Sequence, residues 1–202
     1  MGLDMTLLTV DWERLQEIAP RGRVARLLQL DFLDDDDESG IYDWGLVWPV
    51  KVEERWCAKY EFCMGVGSYK PHFWAGQAWN DIREGAEPTL RATFDDFLDG
   101  LIWEPPDAED LEESSGLFPR EDGWGQVPLL VLCTPPQVAV RAQTWVRAEA
   151  RLAELREPFT LHAAGRYDRV PTFVDFAALL RDWGAVVQEA ERREWGLVGL
   201  PY

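Results

Sequence analysis

The sequence predicts an α+β fold, in which helices from both ends of the chain pack on a mixed sheet around a tryptophan-rich core. Apolar runs of strand length lie near both termini, and amphipathic helical patterns fill much of the last third. The 202 residues are 47% hydrophobic and include 11 tryptophans, a composition that excludes a disordered chain. We therefore expect a single domain over residues 1–202, large enough to fold without disulfides or a structural metal.

The first predicted elements are a strand and two helices. The run "MTLLTV" (Met5–Val10) is short, apolar and β-prone, so it predicts a strand. Asp11 can accept backbone N–H groups as an N-cap, which predicts a helix through about Ala19. Beyond Pro20 and Gly22, "RVARLLQLDFL" spaces its apolar residues at helical intervals and predicts a second helix.

The middle of the chain is the least decided part, and its secondary structure over residues 41–90 stays open. The stretch "IYDWGLVWPV" is typical of a strand or hairpin, whereas "VEERWCAKYEFCM" fits either a helix or a strand. Further on, "TLRATFDDFLDGLIW" predicts a helix that Thr93 caps, with Asp95 and Asp96 near its positive end.

A strand and a long helix open the last third. The run "VPLLVLC" (Val127–Cys133) predicts a buried strand, and "TPPQ" after it is a capping box with proline at the first helical position. The helix that starts there should run to about Glu157 and end at Pro158. Its predicted apolar face comprises Val138, Ala142, Trp145, Val146, Leu152 and Ala153.

A second capped helix and a short strand close the sequence. Thr172 can cap this helix, with Asp175 three residues on in capping-box spacing. Its continuous apolar stripe is typical of core packing rather than of a cofactor site. Gly196 can adopt the left-handed conformation that ends a helix, and "LVGL" then predicts the final strand.

These terminal motifs resemble one known family. The stretch "LCTPPQV", leading into a helix that ends "LAELREPF", resembles the YfbM-like family of unknown function, in which a threonine–proline opening starts a similar helix. The stretches "FAALLRDWGAVVQEAERREWGLVGL" and "MGLDMTLLTVD" are similar to that family's closing helix and strand and to its first strand. The resemblance covers about half of the chain and implies a compact α+β domain. It carries no catalytic residues to transfer.

The charge balance restricts the classes of partner. With 37 acids against 20 lysines and arginines, the formal charge is −17, which disfavours nucleic-acid backbones and anionic membrane surfaces. Such acidity suits either solubility alone or a basic protein partner. The three cysteines do not suggest a disulfide framework, and we see neither a signal peptide nor an apolar run of the roughly 18 residues that a membrane helix needs. We therefore expect a soluble, cytoplasmic protein.

Two acidic stretches are the predicted partner-binding sites. Residues 33–40 and 104–123 are rich in carboxylates that repel one another, so we expect surface loops with a tendency to local disorder. Such clusters can accelerate docking onto a cationic site, and an antitoxin-like or immunity-like role is the concrete form of this hypothesis. The residues assigned to the partner are Asp34, Asp35, Asp36, Asp37, Glu109, Asp110, Glu112 and Glu113.

One aromatic segment supports an alternative function. The stretch "SYKPHFWAGQAWNDI" (Ser68–Ile82) combines large rings with polar groups, as the lining of a ligand pocket does, although the same residues could anchor an ordered segment. The alternative is a small-molecule binder or enzyme whose pocket comprises His72, Trp74, Trp79, Trp44 and Trp48.

Motifs for the common catalytic and metal chemistries are weak or missing. The sequence has no G-x-S-x-G elbow, and "GVGSYK" lacks the spacing of a phosphate-binding loop. Cys57 and Cys63 are spaced too widely for a typical zinc pair. We therefore predict no catalytic residues, no metal site and no cofactor, and favour a binding protein over an enzyme.

Overall fold

The computed structural model describes residues 5–31, 45–47, 55–61, 70–102, 117–118 and 129–201. Five strands form one sheet: β1 (Met5–Val10), β2 (Gly45–Val47), β3 (Cys57–Glu61), β4 (Val131–Cys133) and β5 (Gly196–Pro201). Their order is β2–β3–β1–β5–β4, so the first and last of the described strands are neighbours within the sheet.

The α+β class is confirmed, but the strand directions differ from the prediction of a mixed sheet. All four pairings among the described strands are antiparallel, and β1 pairs with β5 along its whole length, from Met5 opposite Pro201 to Val10 opposite Gly196. Apolar runs locate strands without showing which neighbour each one meets, so the sequence could not decide their direction.

Helices cover both faces of this sheet. They are α1 (Trp12–Glu17), α2 (Arg23–Asp31), α3 (Lys70–Ile82), α4 (Pro88–Leu98), α5 (Pro135–Arg151), α6 (Arg156–His162) and α7 (Phe173–Arg192). No helix in the described parts of the chain is long and apolar enough to cross a membrane.

The central strand β1 is buried along its whole length because it contributes to two separate apolar cores. Met5 and Leu7 belong to a cluster with residues of α3 to α7, whereas Leu8 and Val10 belong to a cluster with residues of α1 and α2. Successive side chains of a strand face opposite sides, so the sheet lies between these two helical layers. The predicted packing of helices from both chain ends is therefore confirmed.

Arg23 secures the α1–α2 layer. Its guanidinium is almost fully buried and donates to the carbonyls of Leu15, Gln16, Ile18 and Leu117. Three of these carbonyls lie at the end of α1, where backbone acceptors lack partners within the helix. Burial lowers the pKa of this guanidinium below its ordinary value. One buried side chain thus binds both the end of α1 and the carbonyl of Leu117.

Three tryptophans lie in the larger core. Trp79, Trp145 and Trp183 are all fully buried there. Gly184 of α7 lies directly against the indole of Trp145 on α5, and a Cβ atom at Gly184 would lie 2.0 Å from that ring. The absence of a side chain at this position allows the two long helices to approach closely.

Several predicted helix signals are confirmed. Asp11 accepts the backbone N–H groups of Glu13 and Arg14, as an N-cap should. Capping boxes are present at Thr134 with Gln137 and at Thr172 with Asp175. The ambiguous stretch around Cys57–Glu61 is a strand.

The predicted start of α4 is wrong. The helix begins at Pro88 with Glu87 as its N-cap, whose carboxylate accepts from the N–H groups of Thr89 and Leu90. Thr93 lies inside the helix, and its hydroxyl donates to the carbonyl of Thr89. The hydroxyl and the backbone N–H of Thr89 donate to the carboxylate of Glu87, and they are the main cause of its low pKa of about 2. Glutamate is not among the favoured cap residues, so its role here was not visible in the sequence.

Two predicted helix ends are also wrong. Helix α5 ends at Arg151, and Pro158 lies in the first turn of α6, where a missing N–H costs no intrahelical hydrogen bond. After α7, Glu194 takes the left-handed conformation, with φ of 60°, while Gly196 begins β5. On α5, Val146 is 59% exposed rather than part of the apolar face.

Candidate functional site

The aromatic segment predicted as a possible pocket forms helix α3 over its residues 70–82. His72 is fully buried on this helix, and the indole N–H of Trp183 donates to its Nδ1 atom at 3.0 Å. An indole N–H can only donate, so Nδ1 is unprotonated and the imidazole is neutral with its proton on Nε2. Burial lowers the pKa of His72 to about 3, which keeps it neutral at physiological pH.

Trp79 lies seven residues further along, about two turns from His72 and on the same face of α3. It is fully buried, and its indole N–H donates to a carboxylate oxygen of Asp95 on α4 at 2.9 Å. Arg83 binds the other oxygen of the same carboxylate. This set of contacts joins α3 to α4 and gives Trp79 a role in packing.

Trp74 lies on a different side of α3, near the surface. Its ring stacks on Tyr167 with centroids 5.4 Å apart, and Phe73 meets it edge-on at 5.0 Å. The Tyr167 hydroxyl donates to Asp81 at 2.6 Å, and Arg166 pairs with the same carboxylate at 2.9 Å. The structure therefore places Trp74 in a surface aromatic cluster, away from the buried faces of His72 and Trp79.

The remaining predicted site residues lie outside the described residues. They are Trp44 and Trp48 of the predicted pocket, and Asp34, Asp35, Asp36, Asp37, Glu109, Asp110, Glu112 and Glu113 of the predicted partner-binding stretches.

The acidity of the chain is concentrated outside the described residues. The described residues contain 20 acids and 18 lysines and arginines, a formal charge of −2, whereas the rest of the sequence contains 17 acids and two lysines and arginines, a formal charge of −15. These described residues, called the framework below, are therefore close to neutral. Nearly all of the net charge lies in two parts of the sequence, residues 32–54 and 103–128.

Two surface cavities lie away from the predicted pocket residues. The larger, of about 530 Å³, lies beside α1 and α2, and its wall comprises Asp11, Arg14, Glu17, Ile18, Arg26, Arg55 and Trp56. The smaller, of about 300 Å³, lies between the N-terminus of α4 and helix α6, with Glu87, Glu154, Glu157 and His162 in its wall. Neither cavity is lined by His72, Trp74 or Trp79.

Sequence reasoning missed the residues around the larger cavity. Arg14, Arg26 and Arg55 come from α1, α2 and the residues before β3, so only the folded chain brings them together. The available signal was the group of four arginines in "WERLQEIAPRGRVARLL".

No metal centre is evident in the part of the chain that the structure describes, where no group of three or more histidines, cysteines or acids could hold an ion. Cys57 and Cys133 are both buried, and they belong to different cores on opposite faces of the sheet.

Comparisons with known proteins leave the family undetermined. The chain matches no protein-family model, no curated protein and no solved structure, so its resemblance to the YfbM-like family stays a prediction.

Proposed function

We propose that this chain is a cytoplasmic, acidic binding protein that engages a basic protein partner, as an antitoxin or immunity protein does. The observation that carries the proposal is the separation of charge between a nearly neutral framework of −2 and two stretches that hold most of the remaining −15. Acidity that served solubility alone would not need to be concentrated in this way. Concentrated carboxylates instead create a local field that attracts a cationic surface.

The charge separation predicts how binding should respond to salt. A local anionic field can raise the rate of association with a cationic partner by about 10–10³-fold at low ionic strength. Salt screens that field over about 8–10 Å at physiological concentrations. We therefore expect the association rate to fall steeply with salt, while the dissociation rate changes less.

The test compares two charge-neutralised variants with a matched control. One variant carries D34N, D35N, D36N and D37N, and the other carries E109Q, D110N, E112Q and E113Q. The control neutralises four exposed carboxylates of the framework through E149Q, D168N, E191Q and E194Q. All three variants change the net charge by the same amount, so they separate a local effect from a global one.

Surface plasmon resonance with an immobilised basic globular protein and with a polylysine peptide measures the association rates. We expect the two acidic-stretch variants to associate about tenfold more slowly than the control at low salt. Equal rates for all three variants, or rates that do not depend on salt, would contradict the proposal.

A further inference from the structure

The smaller cavity is an apolar groove with carboxylates in its wall, called the α4–α6 groove below. Its volume is about 300 Å³, at the lower end of the roughly 300–1,000 Å³ that is typical of ligand sites. Its apolar surface comes from Gly85, Ala86, Leu90, Pro158 and Leu161. Leu90 and Pro158 are buried, whereas Leu161 is 68% exposed. The groove therefore offers apolar contact area to a side chain that arrives from solvent.

Three carboxylates share the wall with this apolar surface: Glu87, Glu154 and Glu157. Arg151 binds the first two, at 3.0 Å from Glu87 and 2.7 Å from Glu154. The hydrogen bond from Arg151 lowers the pKa of Glu154, so this carboxyl stays ionised at neutral pH, as Glu87 does with its pKa of about 2. Three negative charges against one positive charge leave a formal charge of −2 at the groove.

Glu157 is the carboxylate that remains for a partner. It is exposed, and its side chain makes no hydrogen bond or ion pair with the residues that the structure describes. No lysine or arginine is among the described residues that line the groove. A cation at Glu157 therefore need not displace a partner that this carboxylate already has.

Gly85 leaves room in the groove because it has no side chain. A Cβ atom added there would lie 3.5 Å from Cβ of Pro158 and 3.7 Å from Cδ2 and Nε2 of His162, which are ordinary contact distances. Pro158 and His162 both line the groove. An alanine at position 85 would therefore occupy part of the groove without a clash, and it would leave the charge of the groove unchanged.

A lysine or arginine side chain matches both parts of this wall. Such side chains place their aliphatic stem on apolar surface and keep the charged group at its polar edge. A bare metal ion does not match it, because no group of three or more histidines, cysteines or acids among the described residues could hold one. Charge complementarity likewise excludes an acidic side chain, which the net charge of −2 would repel.

We propose that the α4–α6 groove binds a lysine or arginine side chain of the basic protein partner, with the stem on Leu90, Pro158 and Leu161 and the charged group at Glu157. This inference rests on the proposed function, which supplies the partner. It adds to that function a short-range contact on the framework, whereas the acidic stretches act through their field. The groove would thus slow dissociation, and the stretches would accelerate association.

The test is an NMR titration of the full chain with three probes: Nα-acetyl-lysine amide, Nα-acetyl-arginine amide and Nα-acetyl-norleucine amide. Norleucine has the four-carbon stem of lysine without the ammonium group. The methyl resonances of Ala86, Leu90 and Leu161 report binding in the groove itself. We expect saturable shifts at millimolar concentrations of the lysine or the arginine probe, and none with the norleucine probe.

Two variants test the two parts of the groove. E157Q removes the charge, and G85A fills part of the space, so each should weaken binding of the charged probe by about threefold or more. The matched controls are E149Q, which neutralises an exposed carboxylate outside the groove, and G22A, whose added Cβ also makes an ordinary contact. We expect both controls to stay within about 1.5-fold of the wild type, the effect of general electrostatics alone.

The acidic-stretch variants separate this inference from the proposed function. In surface plasmon resonance with the polylysine peptide, G85A should raise the dissociation rate by about twofold or more and leave the association rate unchanged, because it alters a contact and no charge. The variant with D34N, D35N, D36N and D37N should instead slow association. Slower association in that variant, with no probe bound in the groove, would overturn the groove and leave the proposed function in place.

Two further outcomes would overturn the groove as a site for a basic side chain. The first is equal binding of the norleucine and lysine probes, which would show that the groove recognises only the stem. The second is a loss of affinity in E149Q as large as that in E157Q, which would assign the effect to overall charge. Groove binding of a charged probe, with equal association rates in all charge variants, would support the groove and contradict the role of the acidic stretches.

Discussion

The indole N–H of Trp183 donates to Nδ1 of His72 across the largest core of the protein, and the two rings meet edge to face with centroids 5.5 Å apart. This contact joins α3 to α7 and fixes the imidazole in its neutral form. It converts a histidine that the sequence offered as a pocket residue into part of the core. It also makes the stability of the fold sensitive to pH in a direction that can be stated.

We expect His72 to make the protein less stable in acid. Burial lowers its pKa from 6.5 to about 3 in the folded chain, whereas the unfolded chain regains a pKa near 6.5. Below about pH 6.5 the unfolded state therefore binds a proton that the folded state does not. The contribution of neutral His72 is fully present above that pH, and it declines at up to about 1.4 kcal/mol per pH unit as the pH falls towards 3.

Urea unfolding of the wild type and of His72→Asn at pH 7 and pH 5 measures this contribution of neutral His72 to the free energy of unfolding. The difference in free energy of unfolding between the two proteins should narrow at pH 5, because the variant lacks the titrating group. His162→Asn is the control, since it replaces the exposed histidine and leaves His72 in place. A pH dependence that is the same for His72→Asn and the wild type would show that His72 can be protonated in the folded state.

The donor side of the same contact can be tested by Trp183→Phe. Phenylalanine keeps an aromatic ring in the core but removes the N–H group that Nδ1 of His72 accepts. A buried acceptor that loses its partner costs about 1–3 kcal/mol, and the smaller ring adds a packing loss. We expect the free energy of unfolding to fall by at least that amount in chemical denaturation. Trp195→Phe, at a half-buried position near the end of α7, should cost clearly less.

The sequence predicted the fold best where a local signal and a tertiary contact agree. The capping boxes at Thr134 and Thr172 and the apolar run of β1 need little knowledge of the rest of the chain. The start of α4 was wrong because a glutamate with supporting hydrogen bonds acts as the cap at Glu87. The N-cap preferences of the residue types do not predict a glutamate cap.

The candidate sites were harder to predict because they depend on which elements meet. His72 and Trp79 look like pocket residues in the sequence, yet the packing of α3 against α7 and α4 buries both and gives each a hydrogen-bond partner. The larger cavity is the opposite case, since Arg14 and Arg55 in its wall are far apart in the sequence and the pairing of β1 with β3 brings them together. Periodicity reports which face of an element is apolar, but not what that face contacts.

Because α5 and α7 approach closely at Gly184, we expect any replacement of this glycine to lower the stability of the fold. In Gly184→Ala the added Cβ would lie 2.0 Å from the Trp145 ring, so the ring or one of the helices must move. Overpacking of a filled core typically costs about 1–3 kcal/mol, and here it opposes the higher helix propensity of alanine. We expect a net loss of stability in thermal or chemical unfolding.

The matched control for this prediction is Gly22→Ala, where the nearest side-chain atom is 3.7 Å from the added Cβ, an ordinary contact. Its stability should stay within about 1 kcal/mol of the wild type. Trp145→Leu removes the ring that the new Cβ would meet. Gly184→Ala should therefore lower the free energy of unfolding less in the Trp145→Leu background than in the wild type. If Gly184→Ala is as stable as the wild type, the two helices are not held at the distance seen here.

Two adjacent acids on α4 have different roles, one in packing and one at the surface. Asp95 accepts from the indole of Trp79 at 2.9 Å and from Arg83, whereas the neighbouring Asp96 is exposed. Asp95→Ala leaves the buried N–H of Trp79 without its acceptor, so we expect a loss of about 1–3 kcal/mol in the free energy of unfolding. Asp96→Ala should change it by no more than about 0.5 kcal/mol. Asp95→Asn keeps an oxygen for Trp79 but weakens the pairing with Arg83, so its stability should fall between those of the wild type and Asp95→Ala. Equal losses of stability in Asp95→Ala and Asp96→Ala would show that the contact with Trp79 contributes nothing to folding.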